Sequence, residues 1–281
     1  MLDDEDHGLR TIKATLNGIT VGYSVAAVSS VKGTDFDLPQ DRPRTLLFGV
    51  RTDLSVTAED VVSDFKRIAK AYKEAGGMSR IDDYVTVRTH GQVVGDADDA
   101  EVVGEDAEDA DGDLGAHIEY CNEFKKAVDG LRKKTPSLKA ALLPESARPS
   151  RNVPSATSRV KATIDAQYLV QQQHVDNCSK KTGECFCHAV ADVSKSSDRI
   201  PSKNDGTVPT LTTRSLVHSY KLGAMIHPQD LANSMGYTSI NMAPFPLSAA
   251  ARMTGNGYMV PVCTCALAAV CIATGHIKKA A

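Results

Sequence analysis

Gln40, Arg42 and Arg44 alternate directly ahead of the apolar run Leu46–Val50, within "LPQDRPRTLLFGVR" at residues 38 to 51. Alternate residues of an extended chain share one face, so an amide and two guanidiniums would project together. Arginine presents a rigid fork of donors, which suits an anionic or strongly hydrogen-bonding ligand. The same spacing also describes a charged edge strand making surface salt bridges, and spacing alone does not choose between the two. A second group with chemistry in it is "CSKKTGECFCH", where Cys178, Cys185, Cys187 and His188 could supply four zinc ligands. Its C-x-C step differs from the usual C-x2-C and no second pair stands nearby. Reduced, structurally neutral thiols are the plainer reading of that group.

The elements around these residues follow from patterning. "TVGYSVAAVSSV" (20 to 31) is β-branched and short, as a strand requires. "TAEDVVSDFKRIAKAYKEAGG" (57 to 77) reads as a helix. Thr57 can cap it with Asp60 three residues on, Val61, Phe65, Ile68 and Tyr72 line one face, and Gly76 or Gly77 ends it. A short helix over about 117 to 134 would turn Ile118, Phe124, Val128 and Leu131 inward. Between them lies "GDADDAEVVGEDAEDADGDLG" (95 to 115), crowded with carboxylates. A solvated loop is its expected state, since the spacing lacks the twelve-residue calcium loop with its closing Glu. Residues 144 to 159 are Pro/Ser-rich and basic, a loop or linker.

The chain has 281 residues, 42% hydrophobic and 24% charged, the composition of an ordinary soluble globular protein. Aromatics are 5% with no Trp, so the core leans on Val, Leu, Ile and Ala. A net charge of −3 announces no global positive field, so any DNA binding would need a local basic face. Seven cysteines behind an acidic, polar N-terminus fit an intracellular, reducing compartment, the nucleus or the cytoplasm and nucleoid. The most apolar run, Tyr258 to Ala273, falls short of the ~20 residues that span a bilayer. It reads as a turn leading into a buried helix, and no membrane partner is expected.

The C-terminal third bears on the alternating arginines. "NDGTVPTLTTRS" (204 to 215), "HPQDLANSMGY" (227 to 237) and "ARMTGNGYMVPV" (251 to 262) follow one another. With residues 20 to 51, their order and spacing resemble the C-terminal half of the DNA cytosine-5 methyltransferases. Residues 39 to 51 look like that family's eighth motif, and the other three segments like its ninth and tenth. The resemblance covers about residues 20 to 51 and 199 to 275. It implies a target-recognition region over residues 52 to 198, with the last part of a methyltransferase domain in residues 1 to 51. Motifs nine and ten and a closing helix, near 258 to 274, would fill residues 199 to 281. The implied fold is α/β: a partial Rossmann-like methyltransferase domain with a mostly parallel sheet, beside a smaller, irregular recognition domain.

The resemblance also implies roles. The family flips its target cytosine out of the duplex, adds a cysteine thiolate to C6 and takes a methyl group from S-adenosylmethionine onto C5. Carried over, Arg44 would reach the cytosine O2, where negative charge builds. Arg42 would support it and Gln40 would brace the loop. Asn256 would lie by the methionine end of the cofactor, with Gly255 allowing close backbone approach. The first half of the pattern is absent: there is no Phe-x-Gly-x-Gly loop, no Pro-Cys nucleophile and no Glu-Asn-Val. Ala224 and Met225 stand where an Arg is usual, Gln229-Asp230 where Arg-Glu is common, and Gly257 and Tyr258 depart from motif ten.

The expectation is therefore a chain that does not methylate DNA alone. It would be a complementing subunit whose partner carries the N-terminal half, or else a catalytically inactive DNA-binding or regulatory module. A truncated or mis-split gene product is the third possibility.

Overall fold

A computed structural model of the chain describes residues 10–12, 14–16, 18–19, 22–77, 79–85, 110–139, 141–182, 189–195, 202–203 and 205–278. The chain divides into two compact units. Unit 1 comprises Met1–Leu38, Arg42–Met78 and Tyr258–Ala281; unit 2 comprises Pro39–Asp41 and Ser79–Gly257. The helix near 57 to 77, which the resemblance assigns to the recognition region, lies in unit 1.

Unit 1 is built on two antiparallel strands, β1 (Tyr23–Val31) and β2 (Arg44–Arg51), in register from Tyr23 opposite Arg51 to Val28 opposite Leu46. The register then slips before Val31 meets Arg44, and Ser30 takes a φ of 60° at that irregularity. Along β2, Arg44, Leu46, Phe48 and Val50 occupy one face, with Phe48 and Val50 buried, while Thr45, Leu47, Gly49 and Arg51 are exposed on the other. Helix α1 (Ala58–Ala75) covers the inner face. Its N-terminus is a complete capping box: Asp60 N–H donates to the Thr57 hydroxyl, and Thr57 N–H donates to the Asp60 carboxylate at 2.8 Å. The helix stops at Gly76. Of the four residues read onto one face, Val61 and Phe65 are buried, Ile68 is half-buried and Tyr72 is exposed near the end of the helix. Phe65 meets Phe36 at 6.0 Å and Phe48 at 5.8 Å between ring centroids, an aromatic core of the kind such tilted pairs stabilise.

The mixed α/β character stands, but a mostly parallel sheet does not describe the structure. Among the described residues both sheets are antiparallel. Parallel neighbours need a crossover, usually a helix. The connection from Val31 to Arg44 carries only a 3-10 turn at Gly33–Phe36, so the chain doubles back beside itself.

Unit 2 contains the helices α2 (Ala110–Arg132) and α3 (Ser158–Thr182), packed on each other, and a small sheet of order β4–β3–β5–β6. Those strands are β3 (Val190–Asp192), β4 (Ser202–Lys203), β5 (Val217–Ser219) and β6 (Ala224–Met225). Tyr120, Phe124, Val128 and Leu131 of α2 join Val160, Ile164 and Leu169 of α3 in one core. Ile118, expected to face inward, is 53% exposed, because the buried stripe of α2 runs through 120, 124, 127, 128 and 131. A second core gathers Ile81, Val208, Leu211, Val217, Leu231 and Met235. Helices α4 (Pro228–Asn233) and α5 (Leu247–Asn256) complete the unit.

The apolar run near the C-terminus forms α6 (Val260–Ala273) of unit 1. It packs against α1 through one face, with Val262, Cys265 and Ala269 buried, while Leu267 is 66% exposed. The expected buried helix is thus buried on one side only. By length and composition the stretch Leu247–Ala273 could cross a membrane. Its helical backbone gives way to extended dihedrals at Gly257 and Met259.

Candidate functional site

Gln40 is 1% exposed and belongs to unit 2. Its backbone forms a parallel bridge with Val208, and Asp41 N–H donates to Val208 O at 3.1 Å. The Gln40 side-chain amide donates to Ser234 Oγ at 3.0 Å, and that hydroxyl donates on to Leu231 O at 2.7 Å. Next to it, Asp41 pairs with Lys203, and Thr210 Oγ1 donates to Asp41 O at 3.2 Å. Three segments far apart in sequence thereby join: residues 39–41, the "VPTLTT" stretch and helix α4.

The same stretch receives α5. A Cβ built on Gly255 would sit 2.1 Å from Thr212 O and 2.6 Å from Thr213 N, so only glycine lets the helix lie on that backbone. Thr212 N–H donates to Ser215 Oγ at 2.7 Å, and Ser215 Oγ donates to Asp192 at 2.7 Å. Asp192 is fully buried, and it also accepts from Ser194 and from Leu216 N–H, with Lys195 at 3.4 Å. Helix α4 starts where His227 Nδ1 accepts from Gln229 N–H at 3.1 Å; burial holds that imidazole below its ordinary pKa, against the pull of Asp230. The Gln229 amide then ties Asn233, Ile240 and Met242 together.

The five residues singled out in the sequence have different surroundings. Gln40 is a buried brace. Gly255 is used up by packing within the chain. Asn256, the last residue of α5, is exposed, and no hydrogen bond of its side chain is described. Arg42 and Arg44 are half-buried and belong to unit 1. Arg44 opens β2 on its inner face and donates to Pro43 O at 2.9 Å. The regular strand begins only at Arg44, so Gln40 and Arg42 lie outside it, Gln40 buried and Arg42 half-buried.

Cys185, Cys187 and His188, and the side chain of Cys178, lie outside the described residues, as do residues 95 to 109 of the acidic segment. Among the described residues no cluster could hold a metal. Burial raises the thiol pKa of Cys263 and pushes Cys265 up to about 11, which makes both poor thiolates at neutral pH.

The basic character read over residues 144 to 159 belongs to a longer stretch of unit 2. Between Lys125 and Lys161 there are ten Lys and Arg against two Asp and Glu. Lys126 and Arg132 are balanced by Glu123 and Asp129. Among the described residues Lys133, Lys134, Lys139 and Lys161 make no ion pair. The excess was legible as a count, and averaging over a chain of net charge −3 hides it.

Comparison with known proteins adds no family: no protein-family model matches the chain, and no curated protein matches its sequence.

Proposed function

We propose that the chain is the C-terminal half of a DNA cytosine-5 methyltransferase, acting with a partner that carries the N-terminal half. The observation that carries this reading is the convergence in unit 2. The segments that resemble motifs eight, nine and ten lie far apart in sequence, Gln40 and Ser234 by 194 positions, yet Gln40 bonds Ser234, residues 39–41 pair with Val208, and Gly255 lies on Thr212. Chance likenesses scattered along a chain have no reason to pack on one another. In this reading Arg44 supports the flipped cytosine and Asn256 the S-adenosylmethionine side. The partner supplies the nucleophilic thiolate and the cofactor loop.

The test is purification of the full chain from its native cells with sequencing of any stoichiometric partner, followed by a methyl-transfer assay on duplex DNA. A partner carrying Pro-Cys and Phe-x-Gly-x-Gly, and activity that Arg44→Ala abolishes while binding persists, is the expected result. A chain that purifies alone and binds no DNA overturns the reading. The basic stretch of residues 125 to 161 favours a second one: a DNA-binding module without catalysis. Salt-dependent DNA binding by the chain alone, with no partner in the cell, selects it.

A further inference from the structure

A half-open cleft of about 300 Å³ lies in unit 2, inside the basic stretch. Its walls are α2, the 3-10 turns over residues 145 to 152, and the first turn of α3. Arg148, Arg151 and Lys161 all line it. Arg148 is locked in place: its guanidinium carbon lies 4.4 Å from the centroid of the Tyr120 ring, and its Nε donates to Leu143 O at 3.0 Å. Neither contact uses its terminal nitrogens. Arg151 gives one nitrogen to Ser146 O. The Lys161 ammonium has no described hydrogen bond or ion pair; only its backbone N–H is engaged, donating to Thr157 O at 3.0 Å.

The floor beneath these cations is rigid. Asp165 is fully buried and accepts from Tyr120 Oη at 2.7 Å, Ser150 N–H at 2.9 Å and Ser150 Oγ at 2.6 Å. One carboxylate thus fixes the ring that carries Arg148 and the turn that carries Arg151. Two other carboxylates stand near: Glu145 lines the cleft, and Glu119 accepts from Ser158 Oγ at 3.2 Å. Glu119 is engaged by the hydroxyl. Among the described residues no ion pair joins Glu145 to Arg148, Arg151 or Lys161. The three cations therefore converge on a space that no acid among the described residues is seen to neutralise.

We propose that this cleft is a phosphate-binding site, with Arg148, Arg151 and Lys161 as its cationic ligands. Two guanidinium forks and an ammonium match the several acceptor oxygens of a phosphate group better than the two of a carboxylate. Holding Arg148 on Tyr120 before the ligand arrives removes much of the side-chain ordering that binding otherwise requires. The phosphate could belong to a DNA backbone or to a small phosphate compound. The first source extends the DNA-binding part of the reading above; the site itself does not depend on it.

The test uses the full chain and two arms. In the first, melting is followed in sodium phosphate and in sodium chloride of equal ionic strength. Phosphate at about tenfold its Kd is expected to raise the Tm of the wild type by roughly 2–4 °C. The double variant Arg151→Gln/Lys161→Gln, which alters side chains outside the buried floor, is expected to lose that gain. The charge-preserving Arg151→Lys is expected to keep most of it. In the second arm, a labelled duplex is titrated at several salt concentrations. If the phosphate is that of DNA, the double variant weakens binding alike on unrelated sequences, and the log–log salt slope falls by about one to two. A phosphate response with an unaltered duplex slope assigns the cleft to a small phosphate compound. Wild type that binds no duplex defeats the DNA reading, while the first arm still decides the cleft. No phosphate-specific Tm gain in the wild type, or an equal gain in the double variant, overturns the proposal.

Discussion

His218 sits in β5 with its side chain fully buried, and neither ring nitrogen has a hydrogen-bond partner among the described residues. Its ring meets Tyr220 edge-on at 4.7 Å. Burial lowers its pKa to about 3, against about 6.5 for a free imidazole. The folded state thus keeps His218 neutral where the unfolded chain protonates it. A lowered folded pKa means stability that is complete above the unfolded pKa and is lost as pH falls towards the folded one. Across that window each pH unit shifts the folding equilibrium about tenfold through this one proton. At about pH 5 the loss is on the order of 2 kcal/mol, a sizeable share of the 5–15 kcal/mol that holds a typical domain. His218→Leu removes the proton site and two unsatisfied buried nitrogens at similar volume. The variant is expected to match or exceed the wild type at about pH 7.5, gaining up to about 2 kcal/mol. Between about pH 6.5 and pH 4 its stability should fall less steeply, by about one proton's worth of slope. Urea melts of both proteins at several pH values measure the difference, which cancels the carboxylates they share. Parallel pH profiles for the two proteins would refute the reasoning, as would a His218 resonance titrating near 6.5.

Three further substitutions probe the same framework. Gly255→Ala places a methyl 2.1 Å from Thr212 O, so α5 must separate from the 212–213 backbone; a loss of roughly 3 kcal/mol or more is expected in chemical denaturation, and an unchanged Cm would show that the contact is not made. Gly115→Ala lies in exposed α2 with nothing within 4 Å of the new Cβ, and should stabilise by about 0.5–1 kcal/mol in the same assay. Gln40→Ala removes the amide from Ser234 and leaves a void beneath residues 39–41. It should cost about 1–3 kcal/mol and speed amide exchange at Val208 and Asp41, whereas faster exchange spread evenly over unit 2 would argue against a local brace.

How much of this was legible in the chain depended on the kind of information each element carries. Helix α1 was readable to the residue at its N-terminus, because a capping box and an amphipathic face are local signals. Helix α3 was not, because it is buried on nearly every side from Val160 to Leu169 and so shows no apolar stripe to count. The antiparallel hairpin of unit 1 could have been suspected from the short link between β1 and β2, but the resemblance to a parallel-sheet family pointed the other way. Gln40 was visible as a residue of interest, yet its partner Ser234 lies 194 positions on. Nothing local could distinguish a ligand-facing amide from a buried one. The cleft around Arg148 escaped for the same reason: its cations come from a turn and a helix, and only folding brings them together.

That contrast sharpens the functional question. Gln40 donates to Ser234 and Gly255 lies on the 212–213 backbone, contacts inside unit 2 that this fold uses whether or not it ever met a cofactor. A residue already engaged in packing within the chain says little about a ligand. Asn256 and Arg44 are different: one is an exposed amide at the end of α5, and the other spends its described hydrogen bond on the carbonyl of its own neighbour. Arg148, Arg151 and Lys161 are likewise more cationic than their surroundings require. Exposed or unsatisfied polar residues on a well-fixed scaffold are where binding is expected. Arg44 and Asn256 therefore bear the weight of the methyltransferase reading. The cations of the cleft bear the weight of phosphate recognition, and each can fail without the other.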